Sequence, residues 1–556
     1  MDTLQLCLLI LGLLALSGLV SRHLPVPTPF VQIALGALAS WPAHGLHVAL
    51  DPAIFLLLFI APLLFVDALR IPKRELIRER VPVVMLALGL VLFTVLGVGY
   101  LVHGMAPSIP LAASFALAAV LSPTDAVALS AITTRSPMPG RMKGILRGEA
   151  LLNDASGLVT FKFALAAMLT GVFSLSDAAT SLLVVSLGGL LVGAAMAVAM
   201  NWVLSRVGGN NEGTTATENL LLILLPFAAY LLAEHLGASG ILAAVAAGMA
   251  MDRTTFFDRG GAIMRVQGHS IWSIMEFVFN GIIFLLLGFY LPLSIRAAIH
   301  GPLSASPGIG KLLLLIAAIT AALIALRFLW VLVMMMIERL VKQRRRIGGH
   351  GPEWRAALAA SLGGMRGVIA LAGILSVPQW LPDGTPFPSR DLLITVVVGV
   401  ILCSLLLGAM ALPLLLRGMP VETADSSKPT QQAALVEAAK AALDAVKLRH
   451  GRLSSSASTH EKAICDKVAD AMIARYERII KSGSVSPADQ AADDSDPDAA
   501  LVRSIITELR SAALKASRDQ LRQAKASGRI DEAVVRSVID KLDLRELSLR
   551  GGGFEV

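Results

Sequence analysis

The stretch LRGEALLNDASGLVTFKFALAA, residues 146–167, has the composition of a membrane helix, yet it carries Glu149, Asn153, Asp154 and Lys162. Glu149 and Asn153 stand four residues apart on one helical face, and Asp154 lies only about 100° further round, so all three can border one cavity. Oxygen ligands with negative charge are what a hard monovalent cation requires, and a carboxylate supplies them only when it holds no proton. Asp125 (in LAAVLSPTDAVALSAI), Arg327 (in ALIALRFLWVLV) and Arg366 (in SLGGMRGVIALAG) also fall inside apolar runs. Glu276 falls nearer the end of such a run, and Glu234 near the outer interface. At roughly 3 kcal/mol per charge at a helix centre, six such groups amount to about 18 kcal/mol before pairing. That exceeds the usual stability of a domain, about 5 to 15 kcal/mol, so these groups must pair, neutralise or face water.

Two of the runs are interrupted. Pro123 in SPTD removes a backbone donor and disfavours helical geometry at Ser122. A break there frees carbonyls and half-helix ends, the device that builds ion sites near the middle of a membrane, and Thr124 and Asp125 add side-chain oxygens. Gly363, Gly364 and Gly367 surround Arg366 in the second interrupted run. Small-residue helix packing accounts for these glycines but not for the arginine.

The elements that must position these groups are membrane helices. The chain of 556 residues is 55% hydrophobic and 16% charged, with a mean hydropathy of +0.71, which excludes an ordinary soluble globular protein. Apolar segments of spanning length recur up to about Arg417 and predict some thirteen transmembrane helices, starting near residues 3, 25, 53, 81, 110, 145, 180, 218, 238, 270, 311, 355 and 391. With the N-terminus outside, 21 basic residues fall in inner loops and only Arg296, Lys311 and Arg390 in outer ones, as the positive-inside rule requires. The interrupted runs are then the fifth and twelfth spans. An offset of seven makes them corresponding positions of two inverted repeats, spans 1–6 and 8–13.

Residues 1–420 are therefore expected to form a membrane domain and 421–556 a helical cytoplasmic domain, with helices over 429–449, 459–481, 499–526 and 530–548 and a polar linker, SVSPADQAADDSDPD. His450 and His460 read as solvated loop residues. The tail holds 21 basic and 21 acidic residues, so the net charge of +8 belongs to the membrane domain, where it reflects inner loops rather than a nucleic-acid surface. Three cysteines, Cys7, Cys403 and Cys465, have neither disulfide-framework nor metal-ligand spacing. The first apolar segment lacks a basic n-region and a cleavage site, which predicts a retained helix.

GEALLNDASG, SPTDAVA and GGMRGVIALA, supported by AEHLGASGILAAVAAGM and EFVFNGIIFLLLG, together resemble the monovalent cation:proton antiporters of the NhaP and sodium/proton exchanger type. The resemblance covers nearly the whole membrane domain and implies a transporter rather than an enzyme, with no cofactor beyond the transported Na+ or other monovalent cation and H+. It implies a homodimer in membrane lipid of the cell's plasma membrane. Asp154 would be the carboxylate that binds cation or proton, with Glu149 beside the ion and paired to Arg327, and Asn153 holding Glu149. Thr124 would offer a carbonyl and Asp125 a water-mediated contact, so that Asp154, Glu149 and Thr124 form the cation shell. Arg366 would support the second broken helix. The Asn-Asp pair implies electroneutral exchange. Ala150 stands where relatives carry serine, which leaves K+/H+ exchange open beside Na+/H+ exchange. Lys162 could pair with a carboxylate or titrate with transport and so help organise the site, although snorkelling or a fixed structural pair suits it better. A cation channel would need a pore loop and a signalling protein a recognisable output motif; the sequence displays neither, nor a P-loop.

Overall fold

A bilayer offers no water to satisfy backbone N–H and C=O groups, so an apolar chain of this kind folds as helices that satisfy them internally. The computed structural model describes residues 3–550 apart from 25, 42–51, 72, 134–135, 171–174, 208–214, 254–261, 301–307, 342–352, 368, 382–383, 418, 420–423, 457, 483–498, 528 and 531. Arg135, Arg259, Lys342 and Arg344–Arg346 of the expected inner loops lie outside the described residues. Among the described residues there is no strand, only an isolated bridge between Trp380 and Pro386. The chain divides into two compact units, Met1–Arg259 with Ile271–Val421, and Gly260–Ser270 with Glu422–Val556.

The first unit begins with α1 (Thr3–His23), α2 (Thr28–Ala39) and α3, which runs from Pro52–Phe55 through a π-helical turn, Leu56–Ile60, into Ala61–Arg70. A short α4 (Lys73–Arg78) leads to α5, which joins Arg80–Val84, a second π turn Met85–Gly89, and Leu90–Met105. Next come α6 (Leu111–Val120), α7 (Ala126–Thr133), α8 (Gly140–Thr170), α9 (Leu175–Val207), α10 (Thr215–His235) and α11 (Gly240–Arg253). The series closes with α12 (Ala262–His300), which belongs to this unit from Ile271 onward, α13 (Gly308–Val341), α14 (Glu353–Leu362), α15 (Ile369–Leu375) and α16 (Arg390–Leu416). Both expected interruptions are present, between α6 and α7 and between α14 and α15.

Seven of the described helices, α1, α5, α9, α10, α12, α13 and α16, contain segments long and apolar enough to cross a membrane by length and composition, and α2, α6 and α11 contain shorter apolar ones. The remaining expected spans do not qualify as single apolar helices for reasons visible in the chain. The fifth and twelfth are broken in two, and α8 carries its own charges. That helix packs against α3, α5, α6, α7, α11 and α15, so its polar face meets protein rather than lipid.

The second unit consists of α17 (Ala424–Ser456), α18 (Thr459–Ser482), α19 (Ala499–Ser527) and α20 (Glu532–Arg550), near the expected positions. Small and branched side chains such as Ala442, Val446, Ala469 and Leu509 form one of its cores, and Ala434, Leu521, Val535 and Val538 another. Glu461 accepts the Ser458 backbone N–H at 2.9 Å at the start of α18, and the Ser458 hydrogen bonds hold its carboxyl below the usual range. His450 is not the loop residue expected: it lies within α17 and its Nε2 is 2.7 Å from Asp466 of α18. His460 lies in the first turn of α18.

Close backbone approach sets the crossing of α11 over α3. A Cβ on Gly248 would stand 2.3 Å from the Phe65 carbonyl oxygen, well inside contact distance. We expect Gly248→Leu to destabilise the protein by about 1 to 3 kcal/mol. Gly12→Leu, where nothing lies within 4 Å, should change stability by less than about 0.5 kcal/mol. Thermal unfolding of the purified variants in detergent checks both values, and equal melting temperatures would contradict the crossing.

Candidate functional site

The two breaks meet. Asp125 N–H donates to the Met365 carbonyl at 2.8 Å, joining the α6–α7 break to the α14–α15 break. Asp125 Oδ1 accepts from Val127 N–H at 2.8 Å and Ala128 N–H at 3.1 Å, so the aspartate caps the N-terminus of α7. Arg366 serves the opposite end: its Nη1 donates to the Ser122 carbonyl at 2.5 Å and to Pro123 at 3.3 Å, carbonyls that the broken α6 leaves without helical partners. Its own N–H donates to Ser404 Oγ at 3.0 Å. A negative group at a helix start and a positive group at a helix end each oppose the local dipole charge, so two of the charges expected inside the membrane repair the two sides of the α6–α7 break.

Glu149 and Arg327 form the buried pair. Both Glu149 carboxylate oxygens accept from the Arg327 guanidinium, the Nη2 bond measuring 2.6 Å, and the two residues are 0% and 1% exposed. Arg327 Nε donates to the Ala360 carbonyl at 3.0 Å. Gly364 makes room for the guanidinium, because a Cβ there would stand 2.5 Å from Arg327 Cζ. Asn153 Nδ2 donates to Thr124 Oγ1 at 2.9 Å and to Glu149 Oε1 at 3.3 Å, while Thr124 N–H donates to Asn153 Oδ1 at 3.4 Å. The amide thus ties α8 to the α6–α7 break.

In front of this frame lies a cavity of about 200 Å3 bordered by Thr124, Asp125, Ala150 and Asp154, with Asp67 and Arg70 of α3, Arg147 of α8, and Glu276 and Asn280 of α12. Asp154 is buried, and its Oδ1 has no hydrogen-bond partner among the described residues. The charges of Asp125, Asp67 and Glu149 add a negative potential at that carboxyl. Among the described residues no three His, Cys, Asp or Glu side chains converge as a closed metal cage. A cation here would meet the free Asp154 oxygen, hydroxyl and backbone oxygens around Thr124, and water.

The structure places two of the expected site residues away from the cavity. Glu149, expected beside the ion, does not border the cavity; its oxygens face Arg327 and Asn153. Lys162, a candidate organiser, does not reach the carboxylate cluster. Its Nζ lies 3.3 Å from Glu234, and the two side chains are 55% and 37% exposed. Ala150 does border the cavity. Asp67 is not among the residues that the sequence singles out, and Arg70 counts there with the basic residues of the inner loops. The available signal was a carboxylate in FVDALR, embedded in an apolar run three residues before an arginine.

A family model described as sodium/hydrogen exchanger, transmembrane, matches residues 9–418. The chain is 40% identical to the uncharacterized Na+/H+ exchanger YjcE of Escherichia coli strain K12, over 96% of both chains. It is 43% identical to a sodium, potassium, lithium and rubidium/H+ antiporter of Bacillus subtilis strain 168, over 75% of this chain and 62% of that one. Its fold is similar to the solved structure of the sodium proton antiporter MjNhaP1 from Methanocaldococcus jannaschii, with a TM-score of 0.57 at 19% identity, covering 75% of this chain and 99% of that one.

Removing one partner of a buried ion pair strands the other charge. Arg327→Ala should therefore cost about 3 to 5 kcal/mol, whereas replacing both partners by apolar residues should recover much of that loss. Melting curves of Arg327→Ala and of the double variant Glu149→Leu/Arg327→Leu test this. A single variant as stable as the wild type would refute the bracing role.

Proposed function

The chain belongs to the transmembrane sodium/hydrogen exchanger family, and from that premise we propose that it exchanges one monovalent cation for one proton at Asp154. The observation that carries this reading is the buried Asp154 Oδ1, which has no hydrogen-bond partner among the described residues and belongs to a cavity-lining carboxylate beside Thr124. A deprotonated Asp154 is a cation ligand, and a protonated one is not, so the two cargoes exclude each other. Loaded with either, the carboxyl is neutral; empty, it leaves a charge that is costly to carry through the membrane. That cost opposes movement of the empty site and couples the two fluxes without ATP.

Glu149, Asn153 and Arg327 then act as positioning residues, and Arg366 and Asp125 hold the half-helix ends around the site. One titrating carboxylate with its partner charges fixed fits electroneutral exchange. Ala150 removes one candidate ligand oxygen and favours a hydrated, less selective shell. The antiporter of Bacillus subtilis, with its range from lithium to rubidium, supports a site that accepts K+ as well as Na+. We place the protein in the plasma membrane as a homodimer, with the N-terminus outside and residues 421–556 in the cytoplasm, where the basic loops belong.

In proteoliposomes with a preset pH gradient, adding Na+, Li+ or K+ should dissipate the gradient for the wild type and leave it unchanged for Asp154→Asn. Equal responses from the two proteins would remove Asp154 from the exchange, and cation flux without proton movement would favour a channel.

A further inference from the structure

Two charges at the cavity have no role in the scheme above. Asp67 on α3 is partly buried and makes no hydrogen bond or ion pair among the described residues. Arg147 on α8 is exposed and likewise makes no ion pair among the described residues, although its charge acts on Asp67. Both line the same cavity from different helices. Glu276, the other acidic group on this wall, is already held by the Arg70 guanidinium, which ties α3 to α12. Of the two carboxylates that α3 and α12 bring to the cavity, Asp67 is therefore the one open to Arg147.

An exposed arginine at the mouth of a cation path repels the cargo, so recruitment does not explain it. Its register does suggest a use. Arg147 precedes Asp154 by seven residues, two helical turns, and so shares its face about 10 Å nearer the N-terminal end of α8. Alternating exposure of Asp154 requires α8 to shift against α3 and α12. A shift of about one turn, 5.4 Å, toward the C-terminal end of α8 would carry Arg147 from the mouth into the cavity. We propose that Arg147 and Asp67 form a switching ion pair that closes the cavity behind Asp154 as α8 moves, giving each charge in the second state the partner it lacks in the first. The inference rests on the antiport reading. It adds a latch to the moving helix, distinct from the fixed Arg70–Glu276 pair of the wall.

A double-mutant cycle in proteoliposomes tests it, with Arg147→Gln, Asp67→Asn and the double variant compared with wild type for maximal rate and apparent cation KM. Each single variant should lower the maximal rate by about tenfold, and the double variant should be no slower than the slower single, because residues that act as a pair are not additive. Multiplying effects would overturn the pair, as would single variants of unchanged rate. A raised KM in Asp67→Asn that persists at the same factor in the Arg147→Gln background would make Asp67 an independent ion ligand and would also overturn it. Should Asp67→Asn fail to fold, the exposed position carries the test alone: Arg147→Lys should keep most of the rate and Arg147→Glu should lose it, and equal rates would refute the latch. A wild type that moves no protons in response to any cation would instead defeat the antiport reading.

Discussion

The ion pair between Glu149 and Arg327 is the constraint on which the membrane unit turns. Neither residue meets solvent, so neither charge can exist there without the other. The pair ties α8, which carries Asp154, to α13, and through Arg327 Nε to the Ala360 carbonyl of α14. Asn153 extends the same frame to the α6–α7 break. With these partners fixed, Asp154 is left as the carboxylate of α8 whose Oδ1 has no hydrogen-bond partner among the described residues. Charges that an apolar bilayer would penalise are thus used to hold one unpaired oxygen in place.

The broken helices follow the same economy. The α6–α7 break exposes backbone groups that a continuous helix would satisfy, and a charged side chain repairs each side of it: Asp125 at the start of α7 and Arg366, from the α14–α15 break, at the end of α6. A third arginine, Arg390, donates to the Val377 carbonyl at 3.0 Å just past the end of α15. Side chains that look like ion ligands by composition can therefore be helix caps by geometry. Asp125 is of that kind, combining a cap with a place on the cavity wall, whereas Arg366 is a cap alone.

Much of this was legible in the sequence because charges in apolar runs are rare and expensive. That rule alone picks out Glu149, Asp154, Arg327 and Arg366, and Pro123 and the glycines around Arg366 mark the breaks. The rule fails where a charge lies near the end of a run. Asp67, three residues before Arg70 and close to a basic loop, reads as an interfacial residue, yet the chain brings it to the cavity. The rule also cannot choose partners between helices. Lys162 shares a helix with the site and yet pairs with Glu234, because two turns and more of α8 separate it from Asp154. Glu149 beside the ion and Glu149 behind it are indistinguishable from helical spacing, since only the approach of α13 decides between them.

The central claim is that cation and proton compete for one oxygen site on Asp154. Direct measurement of proton release when Na+ or K+ is added to weakly buffered, detergent-purified protein tests it without any transport step. Under competition, the wild type releases protons on binding, and its apparent cation affinity weakens by up to about tenfold for each unit that the pH falls, because the protonated carboxyl must first ionise. Asp154→Asn should release none. Proton release of the same size from Asp154→Asn, or a cation affinity that does not change with pH, would contradict the account.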